Sequence, residues 1–262
     1  MMCINIVSVA PMRAQAAHRS EMVSQLLFGE QCEILNSEGD FYQVRSRYDG
    51  YEGWVQATQL VPMEAGLFDE SMVCTAALDA HVWVNDRPLR LSPGSECYFA
   101  ASGRGKVNRE TLALPGYSIR YQHPLPLMPL EPATPNSEAI ITCAMQYLGT
   151  PYLWGGKSIW GIDCSGFVQM VFKQNGMFVP RDAWQQAEGG DAIGFLQEAK
   201  PGDLAFFDNA EGRITHVGIL LNDHQILHAS GVVRIDPIDN EGIIHAESGR
   251  RTHHLRLLKR YF

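Results

Sequence analysis

"GGKSIWGIDCSGFVQMVF", residues 155–172, sets glycines and an Asp-Cys-Ser triplet directly ahead of an abrupt switch to helical apolar spacing. Phe167, Val168, Val171 and Phe172 fall on one face of a helix that ends near Gly176. Cys164 stands at the start of that helix. Unpaired backbone N–H groups and the macrodipole favour negative charge there, so the position predicts a depressed thiol pKa. Gly155, Gly156 and Gly161 let the backbone turn sharply and leave the sulfur reachable, with Asp163 and Ser165 as polar neighbours. The stretch alone leaves a buried core thiol, a metal ligand and a nucleophile all open, because free cysteine is commonly a small buried hydrophobe.

A nucleophilic thiol needs a base, and histidine suits neutral pH. Of nine histidines, His216 opens the apolar run "HVGILL" and His228 closes "QILH". Neighbouring antiparallel strands can put both on one face, with His216 accepting the thiol proton and His228 holding its ring. Half-buried histidines bonded to backbone are the bland alternative. A zinc site at Cys164, His216 and His228 is set aside, because no closely spaced ligand pair accompanies them. His245, His253 and His254 lack comparable settings and read as surface residues. The Cys164 backbone N–H and the Tyr152 phenol are candidate donors to an oxyanion, although Tyr152 can equally cap the core.

Around this centre "NSEAIITCAMQYLGTPY" carries a helix, capped by Asn136 or Ser137 and stopped by Gly149 and Pro151. "GDLAFFD", "HVGILLN", "QILHAS" and "VVRIDP" then read as successive strands, giving an α+β domain over 137–262 in which helices precede an antiparallel sheet. The proline-rich stretch "HPLPLMPLEPATPN", 123–136, reads as an extended linker. Residues 1–64 show the short alternating strands and Gly/Asp turns of a small all-β barrel, and 65–122 repeat that style faintly as a second, degraded module.

Across 262 residues, 45% are hydrophobic and 19% charged, as in an ordinary globular protein. A net charge of -8 without any basic run argues against nucleic acid or an anionic membrane as partner. No apolar stretch approaches the roughly 18 residues of a membrane helix, so no membrane insertion is expected. The start "MMCINIVSVAPMRAQ" reads as a strand and not a secretion signal, which points to the cytoplasm; a signal removed upstream would make the protein periplasmic or secreted. Six scattered cysteines without a C-x-x-C pair suit buried thiols in a reducing compartment. Oligomeric state is not legible.

The motifs "LGTPYLWGGKSIWGIDCSGFVQMVF", "VPRDAWQQ", "PGDLAFFD", "ITHVGILL" and "ILHASG" occur together and in order, and in this the chain resembles the NlpC-type cell-wall cysteine peptidases. The resemblance implies a papain-like fold with a Cys-His-His triad at Cys164, His216 and His228, Tyr152 near the oxyanion, and no cofactor. It also implies cleavage of peptidoglycan stem peptides. "RSEMVSQLLFGEQCEIL" with "DGYEGWV" looks like the bacterial SH3-like domain of the γ-D-glutamyl-L-diamino acid endopeptidase subgroup. That likeness implies that Glu30 and Tyr51 bind the free amine of an N-terminal L-alanine, and that Asp163 and Ser165 contact the substrate near γ-D-glutamate. Arg181 and Asp182 are expected to brace the site as an ion pair or contact substrate, with Gln186 a further polar contact. Trp160 stands where a smaller aromatic is expected, which bears on pocket shape and not on chemistry. The expected substrate is L-Ala-γ-D-Glu-diamino acid, the diamino acid being L-lysine or meso-diaminopimelate. A non-catalytic wall-binding protein and an amidase or acyltransferase on the same fold are the rival readings.

Overall fold

The computed structural model describes residues 1–63, 73–75, 78–98, 100–102, 106–108, 111–121, 127–129 and 136–262. The chain divides into two compact units, Met1–Glu131 and Pro132–Phe262. Among the described residues no helix is long and apolar enough to cross a membrane.

In the first unit seven antiparallel strands, β1 (Met2–Asn5), β2 (Val9–Arg13), β3 (Met22–Leu27), β4 (Gln31–Glu38), β5 (Phe41–Ser46), β6 (Glu52–Gln56) and β7 (Leu60–Met63), pair in the order β3-β2-β6-β5-β4-β1-β7. Alternation buries Ala10, Met12, Leu26, Val44 and Val55 in one cluster. The strands His81–Val84, Arg87–Arg90, Thr111–Leu114 and Tyr117–Tyr121 form a four-stranded antiparallel sheet. It is not a core of its own: Val82, Leu112, Ile119 and Tyr121 share a cluster with Ile4, Phe28 and Val61 of the first sheet. The sequence reading of a separate second module missed this shared burial. The proline-rich stretch falls largely outside the described residues, although Leu127–Pro129 pairs with Val73–Thr75 as a strand.

The second unit is α+β, as its run of helices followed by strands predicts. Asn136 caps helix α1 (Ser137–Met145) by accepting the Glu138 N–H at 2.9 Å. Helix α2 (Cys164–Gln174) is buried on every side, polar Gln169, Lys173 and Gln174 included, where the sequence shows a single apolar face. The reason is its position: it packs on α1, on helix α3 (Ala183–Glu188) and on the strands Ile214–Asn222 and Gln225–Ser230. The sheet runs Asp191–Ile193, Arg251–Arg260, Leu204–Asp208, Ile214–Asn222, Gln225–Ser230, Val232–Asp239, Gly242–Ile244. Gly242–Ile244 also pairs with Arg251–Arg260, so the sheet closes on itself around Ala205, Phe207, Leu220, Ile226, Ile238 and Ile243.

Candidate active site

Cys164 opens α2 and retains 7% exposure. The turn before it needs its glycines: Gly155 has φ +75°, and a Cβ on Gly156 would meet the Gly161 carbonyl oxygen at 2.4 Å. Gly166, inside the helix, would bring a Cβ within 2.2 Å of the Gly156 carbonyl oxygen. Alanine ordinarily favours a helix over glycine by about 1 kcal/mol. Here the close partner is backbone, so Gly166→Ala is expected to lower stability by about 1–3 kcal/mol, read as a fall of several degrees in Tm. An unchanged or raised Tm would show that the loop yields freely.

Asp163 caps the helix, accepting the N–H of Gly166 at 2.6 Å and that of Gly155 at 2.9 Å. It also takes both guanidinium nitrogens of Arg181, at 3.0 and 2.6 Å, with Ser165 Oγ bonded to each partner. Arg181 is 2% exposed and forms an ion pair with Asp163. Asp182 sits at the N-cap of α3, its backbone N–H donating to Gln185 Oε1 at 3.3 Å. Gln186, fully buried, donates to the carbonyls of Ser165 and Pro180. These residues hold the start of α2 in place through bidentate and charge-assisted bonds.

The histidines come from adjacent strands. Gly218 lies directly opposite His228, so His216, two residues earlier on the same face, is its diagonal neighbour. His216 Nε2 and His228 Nδ1 are 2.8 Å apart. Gly218 makes the approach possible, since a Cβ there would come within 2.8 Å of His228 Cβ. Asp236, on the next strand and in the same diagonal relation to His228, places Oδ2 at 3.0 Å from His228 Nε2. His216 and His228 are 6% and 1% exposed.

His253 corrects the sequence reading, which took it for a surface residue. Closure of the sheet pairs it with Ile243, and its ring stacks on His216 with centroids 4.1 Å apart and planes at 23°. Asp236 was also missed; the period-two spacing of Arg234 and Asp236 in "VVRIDP" was the available signal. One ring nitrogen from each of His216, His228 and His253 lies within 4.8 Å of the others. Near-parallel stacked rings do not aim their lone pairs at one point about 2 Å from each, as a tetrahedral metal requires. The cluster is a hydrogen-bonded pair with a stacked neighbour.

Burial, then the Asp163 carboxylate, push the Cys164 thiol up to about 12, against the N–H groups of Val217 and Ser165 and the Arg181 charge. This reverses the depressed pKa expected from the helix start: exclusion of water outweighs the N-terminal N–H groups. Burial, then His253 and His228, lower His216 well below its usual value. Both shifts favour the uncharged forms, a thiol at Cys164 and a neutral imidazole at His216, and the Val217 N–H that meets the sulfur belongs to the residue next to His216. Tyr152 is pushed up to about 12 by burial and by the nearby Cys164 and Asp163, so it keeps the phenolic proton an oxyanion donor needs. Cys3, Cys32, Cys97 and Cys143 are likewise free thiols.

Residues 149–251 match the NlpC/P60 family, and residues 12–60 match the bacterial dipeptidyl-peptidase Sh3 domain. A gamma-D-glutamyl-L-lysine dipeptidyl-peptidase of Bacillus subtilis is 32% identical over 216 residues, covering 79% of this chain and 71% of its own. This chain belongs to the NlpC/P60 family. A Bacillus cereus protein of the same description is 26% identical over 88% of this chain and 75% of its own. The crystal structure of an NlpC/P60 family protein from Bacillus cereus ATCC 10987 superposes with a TM-score of 0.80 at 21% identity, covering 100% of this chain and 99% of that one, a likeness of fold. The protein is thus an NlpC/P60 cysteine peptidase with an N-terminal SH3-like domain. Of the residues expected to bind the substrate amine, Glu30 lies in the β3–β4 turn at 1% exposure and accepts the Leu27 N–H at 2.9 Å. Tyr51 is half-buried just before β6 and packs on the first cluster.

Proposed function

We propose that this peptidase hydrolyses the amide between the γ-carboxyl of D-glutamate and an L-diamino acid in peptidoglycan stem peptides that carry a free N-terminal L-alanine. The observation that carries the reading is the hydrogen-bonded His216–His228 pair on strands packed against the helix that Cys164 opens. The description shared by the two Bacillus relatives supports the bond and the substrate class.

His216 takes the Cys164 proton as sulfur attacks the γ-carbonyl carbon, so a C–S bond forms and the carbonyl electrons move to oxygen. The Cys164 backbone N–H and the Tyr152 phenol donate to that oxygen. The C–N bond then breaks, and the leaving amine takes the proton from His216. Water attacks the thioester, His216 accepts its proton, and the C–S bond breaks to restore the thiol with the Ala-Glu dipeptide as acid. Asp163, Ser165 and Arg181 keep the sulfur at the end of α2; Asp163 and Ser165 are also assigned to contacts near γ-D-glutamate, and Asp182 to supporting that region.

Glu30 and Tyr51 are assigned to the substrate ammonium, for which a carboxylate and a phenol oxygen are complementary acceptors. A stem still joined to glycan has no such amine, so this selects peptides already released from the wall and suits recycling in the cytoplasm. The test compares L-Ala-γ-D-Glu-L-Lys and L-Ala-γ-D-Glu-meso-diaminopimelate with their N-acetylated forms, products being weighed by mass spectrometry. Cleavage of the free peptides alone is expected. Glu30→Gln should raise KM about 10- to 100-fold with kcat less affected. Equal cleavage of free and acetylated peptides would overturn the amine assignment, and products cut elsewhere would overturn the bond.

A further inference from the structure

Asp236 lies outside every motif that carries the family resemblance and is only 1% exposed. Its Oδ2 faces His228 Nε2, while Arg234 donates to it from Nε and Nη2 at 2.9 Å each and the Ala246 N–H donates at 2.9 Å. Arg234 is held in turn by Glu247 at 2.7 Å, which also meets His245 at 3.1 Å. A continuous line of polar contacts therefore runs from His216 through His228, Asp236 and Arg234 to the exposed Glu247.

We propose that Asp236 is a positioning residue of the catalytic relay: by accepting the N–H of His228 Nε2 it sets the tautomers of both histidines and leaves His216 Nδ1 as the bare base. The inference rests on the reading of Cys164 as nucleophile and His216 as base.

The argument is one of donors and acceptors. An ionised carboxylate can only accept, and although burial opposes charge on Asp236, the bonds from His228, Arg234 and the Ala246 N–H hold its carboxyl below the usual carboxylate range. His228 Nε2 must then carry its proton. A singly protonated His228 offers a lone pair at Nδ1, and the 2.8 Å contact obliges His216 to donate through Nε2. With its one proton there, His216 has a lone pair at Nδ1, the ring nitrogen left for the thiol. When Nδ1 takes the thiol proton, no hydrogen bond in the line reverses direction, and the negative charge of Asp236 stabilises the developing imidazolium through His228. The stacked His253 restrains the plane of His216 and leaves both of its ring nitrogens in use.

An asparagine at 236 can turn its NH2 toward His228 Nε2. The bare nitrogen of His228 would then be Nε2, its proton would sit on Nδ1, and His216 would be driven to the Nδ1–H tautomer, which has no lone pair for the thiol.

The test is the 15N spectrum of histidine-labelled full-length protein without substrate, set beside kinetics of Asp236→Asn and Asp236→Glu. In the wild type His216 and His228 should both be Nε2–H tautomers. Asp236→Asn should convert both to Nδ1–H, lower kcat about 10²- to 10⁴-fold with KM within about twofold, and slow iodoacetamide labelling of Cys164 in parallel. Asp236→Glu, which keeps a carboxylate, should retain the wild-type tautomers and recover part of kcat. A His216 proton on Nδ1 in the wild type overturns the proposal, as does Asp236→Asn with unchanged tautomers or with kcat within about threefold. If Asp236→Asn does not fold, the wild-type spectrum decides by itself. The expected tautomers in a protein that cuts no γ-D-glutamyl peptide would overturn the substrate reading and leave this one standing.

Discussion

Cys164→Ala is expected to abolish peptide hydrolysis, with kcat falling by about 10⁴-fold or more, equivalent to about 5 kcal/mol of lost transition-state stabilisation. The covalent route is closed once sulfur is gone, and no other described thiol opens a helix beside a histidine pair. The change removes a small, buried side chain from a helix otherwise held by the Asp163 and Arg181 bonds, so Tm should move by only a few degrees. A folded Cys164→Ala protein that turned over peptide at the wild-type rate would remove the nucleophile. Iodoacetamide is an independent check on the wild type at neutral pH. Cys164, which keeps 7% exposure and is assigned His216 as its base, should be alkylated ahead of Cys3, Cys32 and Cys97, which are fully buried.

His216→Ala should cost nearly as much, about 10³- to 10⁵-fold in kcat, because the thiol, pushed up to about 12, cannot lose its proton unaided near neutral pH. The pH profile reports the same residue. A base works in its unprotonated form, and burial with His253 and His228 nearby lowers His216 well below its usual 6.5. The acid limb of kcat/KM should therefore lie below pH 6.5: activity persists as pH falls through that value and is lost only beneath it. Among the described residues, His228 and His253 face His216, with Asp236 beyond His228; Phe207 supplies the apolar edge. His253→Gln removes the stacked ring and should move the acid limb upward toward 6.5 with little change in KM. An acid limb already at or above 6.5 in the wild type would contradict the neutral-pair description.

The legible parts of the site were those whose chemistry and local conformation coincide in a few residues. Cys164 could be found because a glycine turn, a capping aspartate and a helical apolar stripe meet within one stretch, and each leaves its own mark on composition. His216 and His228 could be found because each borders an apolar strand. Arg181 was legible as a brace, but its bond to Asp163 was not: Asp163 is 18 residues away, and the guanidinium reaches it through the packing of the α2 and α3 segments. His253 gave no such local signal, and Asp236 only the period-two spacing it shares with Arg234. An aspartate in a strand is ordinarily solvated, and only the register of Gln225–Ser230 against Val232–Asp239 turns this one toward His228.

By itself, then, the sequence marked the kind of domain and singled out Cys164, His216 and His228 as candidates, through periodicity, turn chemistry and side-chain reactivity together with the family resemblance. Tertiary structure decided how those groups behave. Closure of the sheet laid His253 against His216, strand register joined His228 to Asp236, and burial of the whole of α2 reversed the expected direction of the Cys164 pKa. Each of these depends on which surfaces exclude water and which strands become neighbours. Desolvation and cross-strand register are properties of the folded chain, set by contacts between residues distant in sequence, and no local pattern encodes them.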